Sequence, residues 1–192
     1  MENAAAASNF LTLPSDLPVP VDDGGAAHLS GMRLPSVRLP ATDGSSLDLG
    51  ALPGLSVLYF YPRTGRPGEP LPEGWDTIPG ARGCTPQSCA FRDHFAELQA
   101  LGVAHVFGIS TQDTAYQKEV ALRLHLPFRL LSDADFELTR TLSLPTFVTS
   151  GMTLLKRLTI IARDSVIETV FYPVFPPDRN AADVIAALRA RS

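Results

Sequence analysis

The sequence predicts an α/β fold: a mixed central sheet flanked by helices and entered through an N-terminal β-hairpin. Three observations carry this. Apolar, β-prone runs at 55–61, 103–110 and 128–133 alternate with segments of helical periodicity. A second pair of β-prone runs, 153–162 and 165–172, reads as a hairpin turning at Arg163-Asp164. A final amphipathic segment starts at Asn180, with Val184, Ile185 and Leu188 on one face.

Length and charge set the outer bounds. A chain of 192 residues suits one domain. A net charge of −4, with no Lys/Arg cluster, argues against nonspecific nucleic-acid binding. No apolar run reaches transmembrane length, so no membrane span is expected. The start, Met1-Glu2-Asn3 and four alanines, lacks the basic and long apolar regions of a signal peptide. Two cysteines in a chain this size fit a redox pair in a reducing, cytoplasmic setting better than a disulfide scaffold.

Taken in order, residues 1–28 are rich in Ala, Pro, Asp and Gly without periodicity and read as a flexible or extended arm, with Leu-Pro-Val-Pro-Val at 17–21 lying across the domain. Residues 29–192 form the single domain. Residues 34–49 read as a β-hairpin turning at Asp43-Gly44. Residues 55–61 are continuously apolar, as a central strand buried on both faces should be. Residues 62–83 form a Pro/Gly-rich insertion holding Trp75, either a lid over a pocket or a surface loop with its own anchor. A helix is predicted from Thr85 as N-cap and Pro86 as first residue to about Leu101. Strand 103–110, helix 112–124, strand 128–133 and a short helix at 134–142 follow. The late hairpin, a Pro-rich connector at 173–179 and a helix capped by Asn180 end the chain. This order is that of a thioredoxin-like sheet. Phe171-Tyr172-Pro173-Val174-Phe175 reads as core by default, or as the wall of a pocket or interface.

The two cysteines, Cys84 and Cys89, are the only ones and lie at the opening of the first helix. At about 100° per residue, Cys84 falls in the apolar stripe of Phe91 and Phe95, and Cys89 about 140° round, beside Arg92 and Asp93. Unpaired N–H groups and the positive end of the dipole favour a thiolate at such a place. Helix geometry sets the two Cα atoms roughly 8–9 Å apart. A disulfide needs about 7 Å or less, so bonding the pair requires the first turn to unwind.

Tyr59-Phe60-Tyr61-Pro62 and Gly83-Cys84-Thr85-Pro86-Gln87-Ser88-Cys89-Ala90-Phe91-Arg92-Asp93 resemble the peroxiredoxins, in their Q-type or bacterioferritin-comigratory branch, over about residues 29–192. The resemblance implies a peroxidase acting on hydrogen peroxide and small organic hydroperoxides. Cys84 would attack the peroxide, Cys89 would resolve the sulfenic acid as an intramolecular disulfide, and thioredoxin or a glutaredoxin-like dithiol would reduce it. Pro62 would shield the site, with Gly83, Thr85 and Thr64 around the pocket. Breaking O–O needs a fixed cation, and Arg157 matches the family's arginine, with Lys156 next to it. No metal or organic cofactor is implied, and a monomer or weak dimer is. The chain departs from the family at Ala81, where a Thr is usual three before the cysteine; Thr64, Thr77 and Thr85 are candidate replacements. A protein thiol–disulfide oxidoreductase and a non-enzymatic redox sensor are the alternative functions. His28, His94, His105 and His125 have no metal-ligand spacing with each other or the cysteines.

Overall fold

The computed structural model describes residues 10–191. A five-stranded mixed sheet has the order β5-β4-β3-β8-β9. Its strands are β3 (Leu55–Phe60), β4 (Val103–Ser110), β5 (Leu130–Ser132), β8 (Leu158–Arg163) and β9 (Val166–Phe171). β3, β4 and β5 run parallel; β8 is antiparallel to its neighbours β3 and β9, so β9 points the same way as β3. The entry hairpin is β1 (Arg38–Pro40) and β2 (Ser46–Asp48), and a second hairpin is β6 (Thr146–Thr149) and β7 (Met152–Leu155). The helices are α1 (Cys84–Asp93), α2 (Phe95–Ala100), α3 (Thr114–Arg123), α4 (Glu137–Thr141) and α5 (Asn180–Arg189).

Strand β3 explains the layering. All six of its residues are buried, and alternate ones serve opposite faces, as the period of two requires. Val57 and Tyr59, with Tyr61 just beyond the strand, join a core built with α1, α2, α3 and α5 through Phe91, Leu98, Val120 and Val184. Leu58 and Phe60 join the opposite core, where Leu39, Leu49 and Leu138 come from the entry hairpin and α4. Phe91 stacks on Tyr59 with ring centroids 4.5 Å apart, which fixes α1 on the sheet. Such a pair adds about 0.5–1.5 kcal/mol beyond its buried area.

Four expectations change. The helix expected to run unbroken to Leu101 is interrupted at His94, which has non-helical dihedrals and separates α1 from α2. The single strand expected over 153–162 is two, because β7 pairs with β6 while β8 joins the main sheet. The switch falls at Lys156-Arg157 and turns Arg157 into the interior, where it is 3% exposed. The late hairpin turns at Asp164-Ser165, both at positive φ (48° and 64°), as a two-residue primed turn requires. Finally, Asn180 does not cap α5: its side chain is buried and bonded inward.

Residues 10–28 form no helix or strand but are packed down at several points. Phe10 lies so close to Gly65 that a Cβ there would sit 2.4 Å from its ring. Asp23 pairs with Lys156 at 2.5 Å and accepts from the Tyr172 hydroxyl at 2.6 Å. The first nine residues of the expected arm lie outside the described residues.

Candidate active site

Helix α1 begins at Cys84, with Gly83 as its N-cap. Gly83 has φ 106°, a conformation L side chains rarely adopt, and a Cβ there would meet Pro177 at 2.3 Å and Leu13 at 2.8 Å. Only glycine fits. The cap expected at Thr85 is therefore two residues earlier, and Thr85 and Pro86 are buried within the first turn. Pro86 loses nothing by this, since none of the first four helical N–H groups has an intrahelical partner.

The sulfur of Cys84 is enclosed, with the residue 3% exposed. Its thiol points at the Ala81 carbonyl, 3.7 Å away. Arg157 reaches it across the fold: Nη2 donates to the sulfur at 3.2 Å and lies within 3.1–3.2 Å of the carbonyls of Gly80, Ala81 and Arg82. Nη1 donates to Gln87 Oε1. Gln87 Nε2 donates to Asn180 Oδ1 at 2.9 Å, and Thr159 Oγ1 donates to the same oxygen at 2.7 Å. A buried polar chain thus runs from the sulfur through Arg157, Gln87 and Asn180 to Thr159 on β8. One planar fork holds both helix and strand, which a lysine's point charge does not do.

Chemically, this places a positive charge against a nucleophilic sulfur at a helix N-terminus. Negative charge that moves from sulfur to a leaving oxygen is met by the same guanidinium. Lys156 points elsewhere, to Asp23.

The remaining predicted residues lie at varying remove. Pro62 is buried at the end of β3. Thr64 is buried, but its N–H and hydroxyl are both given to Gln112 Oε1, at 2.9 and 3.1 Å. Thr77 is exposed and its hydroxyl closes a turn onto Gly74. Ala81 is fully buried in a small cluster with Trp75 and Leu154, where the insertion packs on β7. Cys89, one and a half turns beyond Cys84, is half-buried, and both thiols are free. Burial pushes the Cys89 thiol pKa up, with Arg92 pulling the other way and Asp93 adding to the rise. The histidines serve local structure: His28 bonds the Leu142 carbonyl, His94 pairs with Glu97, and His105 stacks on Phe107.

Gln87, Asn180 and Thr159 were not evident as site residues. Gln87 had a signal, since three residues after Cys84 it shares that face of the helix. Asn180 reads as a cap by type, and nothing local says that its side chain turns inward.

The Redoxin family model matches residues 29–187. The chain is 31% identical over 162 residues to the chloroplastic peroxiredoxin Q of Populus jackii, covering 83% of this chain and 68% of that one. It is 30% identical over 162 residues to the chloroplastic peroxiredoxin Q of Oryza sativa subsp. japonica, covering 83% and 66%. The chain therefore spans about two thirds of these relatives' length. Among solved structures, peroxidoxin BcpB from Mycobacterium tuberculosis superposes with a TM-score of 0.68 at 26% identity, covering 85% of this chain and 97% of that one.

Proposed function

Because this chain belongs to the redoxin family, among its Q-type peroxiredoxins, we propose that its thiol-dependent peroxidase activity runs through Cys84. The observation that carries this is the Arg157 guanidinium 3.2 Å from the Cys84 sulfur at the N-terminus of α1. The Cys84 sulfur attacks the terminal oxygen of a hydroperoxide and breaks the O–O bond. Sulfur is oxidised by two electrons to the sulfenic acid, and the leaving oxygen takes a proton and departs as water or an alcohol. Arg157 meets the charge as it passes from sulfur to oxygen. Gln87 and Asn180 position the guanidinium and touch no reacting atom.

Cys89 then attacks the sulfenic sulfur, a water leaves, and a Cys84–Cys89 disulfide forms. Both residues lie in α1, so this step needs the first turn to open. A dithiol of the thioredoxin or glutaredoxin kind returns the pair to thiols by exchange. Two free thiols suit a reducing compartment such as the cytoplasm. Burial of Cys84 speaks against a protein disulfide as substrate, because a folded protein does not reach a sulfur 3% exposed. The test is Cys84→Ser: peroxide consumption should fall to the level of buffer. Unchanged consumption would remove the reading.

A further inference from the structure

Closing a Cys84–Cys89 disulfide needs the first turn of α1 to open, and the backbone leading into that turn is held twice. Arg157 holds it through the carbonyls of Gly80, Ala81 and Arg82. The N-terminal arm holds the same stretch again. The Arg82 guanidinium lies 6.0 Å from the centroid of the Phe10 ring. Leu13 packs on Gly83, so closely that a Cβ there would sit 2.8 Å from Leu13 Cδ2. Pro20 covers Gly80, where a Cβ would sit 3.6 Å from its ring. Asp23 then ties the arm to Lys156, the neighbour of Arg157, at 2.5 Å, and to the Tyr172 hydroxyl at 2.6 Å.

The peroxide step makes no use of these contacts, since the sulfur's own partners are Ala81 and Arg157. The arm is nevertheless built to lie down. Pro14, Pro18 and Pro20 each fix a backbone dihedral, so ordering the segment costs less entropy than for a free chain. It is also built to lift. Leu13 and Pro20 are only half-buried, and Asp23 is exposed. An exposed ion pair such as Asp23–Lys156 adds little stability. Segments held by few buried contacts are the ones that open locally while the core stays folded.

We propose that residues 10–23 are a strap over the cysteine turn, with Leu13 and Asp23 as positioning residues for the resolving step. While the strap is seated, the turn stays wound and the Cys84 sulfenic acid is kept from Cys89. When it lifts, Cys89 attacks, the S–O bond breaks, the S–S bond forms and water leaves. A sulfenic acid kept waiting meets a second hydroperoxide instead: sulfur loses two more electrons to become the sulfinic acid, the O–O bond breaks, and water or an alcohol leaves. The strap thereby sets the division between recycling and permanent oxidation. The inference rests on the peroxidase reading and adds regulation to it.

The experiment uses the full chain and its variants Leu13→Ala and Asp23→Asn. Each is mixed with one equivalent of hydrogen peroxide and quenched at intervals, and the sulfenic acid and disulfide forms are separated by intact mass. Neither variant removes a core residue, so both should fold. The sulfenic acid should form at the native rate in both. Its conversion to disulfide should quicken by about tenfold in Leu13→Ala, where part of a leucine's burial is lost. In Asp23→Asn it should quicken by about twofold, as for an exposed ion pair. With excess peroxide and no reductant, the sulfinic fraction should fall in the same order. Unchanged or slower conversion in Leu13→Ala overturns the strap and leaves the peroxidase reading intact. Formation and conversion changing by the same factor also overturn it, because general loosening of the site would do that. A native chain that forms no sulfenic acid at Cys84 overturns the peroxidase reading, and the strap with it.

Discussion

Cys84 and Cys89 lie on one helix, five positions apart, in unlike surroundings. Cys84 is buried at the first turn, under a guanidinium and against a run of backbone carbonyls. Cys89 is half-buried further along, with Arg92, Asp93 and Arg123 as its charged surroundings. The first has a cation supplied from the junction of β7 and β8; the second has charges of both signs around it, none of them bonded to the sulfur among the described residues. The difference follows from position on the helix. A residue at the start shares its face with Phe91 and meets the strand side, and one five residues on is turned away by about 140°. The same chemical group thus meets two environments without any change in residue type.

The comparison can be broken most severely at Cys89. In Cys89→Ser, each chain should consume one equivalent of peroxide and then stall as the sulfenic acid, so steady turnover with a dithiol reductant is lost. Continued turnover at the native rate would mean that the second sulfur has no part in recycling. Next is Arg157→Lys. The charge is kept but the fork is lost, and removing one such donor typically costs about 10²–10³ in rate. Stopped-flow oxidation of Cys84 should slow by about a hundredfold. A loss under threefold would show that charge alone, not the bidentate geometry, serves the sulfur.

A smaller effect sharpens the contrast. Burial raises the Cys89 pKa, so at neutral pH it holds less thiolate than an exposed cysteine. In Cys84→Ser, alkylation of Cys89 by iodoacetamide should rise with pH, with a midpoint above that of a free thiol. Urea-unfolded protein should bring the midpoint back down. An identical midpoint in both states would show that the helix does not shield this sulfur.

Much of this was legible in the sequence for local reasons. The order of strands and helices follows from runs whose period and β-propensity are contained within a few residues, as in 55–61 and 103–110. The unlike orientation of the two cysteines follows from spacing alone. The strand β6 was not foreseen, although Ser150-Gly151 between Thr-Phe-Val-Thr and Met-Thr-Leu-Leu is a two-residue turn signal, and both turn residues have positive φ. The break at Lys156-Arg157 was hidden because 153–162 is β-prone throughout; tertiary pairing divides it. Gln87, Asn180 and Thr159 were out of reach for a different reason. Gln87 and Asn180 lie 93 positions apart, and their partnership exists only once α1 and α5 pack together. The packing of the arm on the turn before Cys84 is equally non-local, since β1, β2 and β3 lie between the two in the chain.

The packing of the insertion gives this protein a built-in optical probe. Trp75 is the sole tryptophan, is 3% exposed, and shares its cluster with Ala81, whose carbonyl accepts from Arg157 at 3.1 Å. Opening the turn after Gly83 disturbs that contact and so the indole's surroundings. If the proposed Cys84–Cys89 disulfide opens that turn, intrinsic fluorescence should report the redox state of the pair without a label.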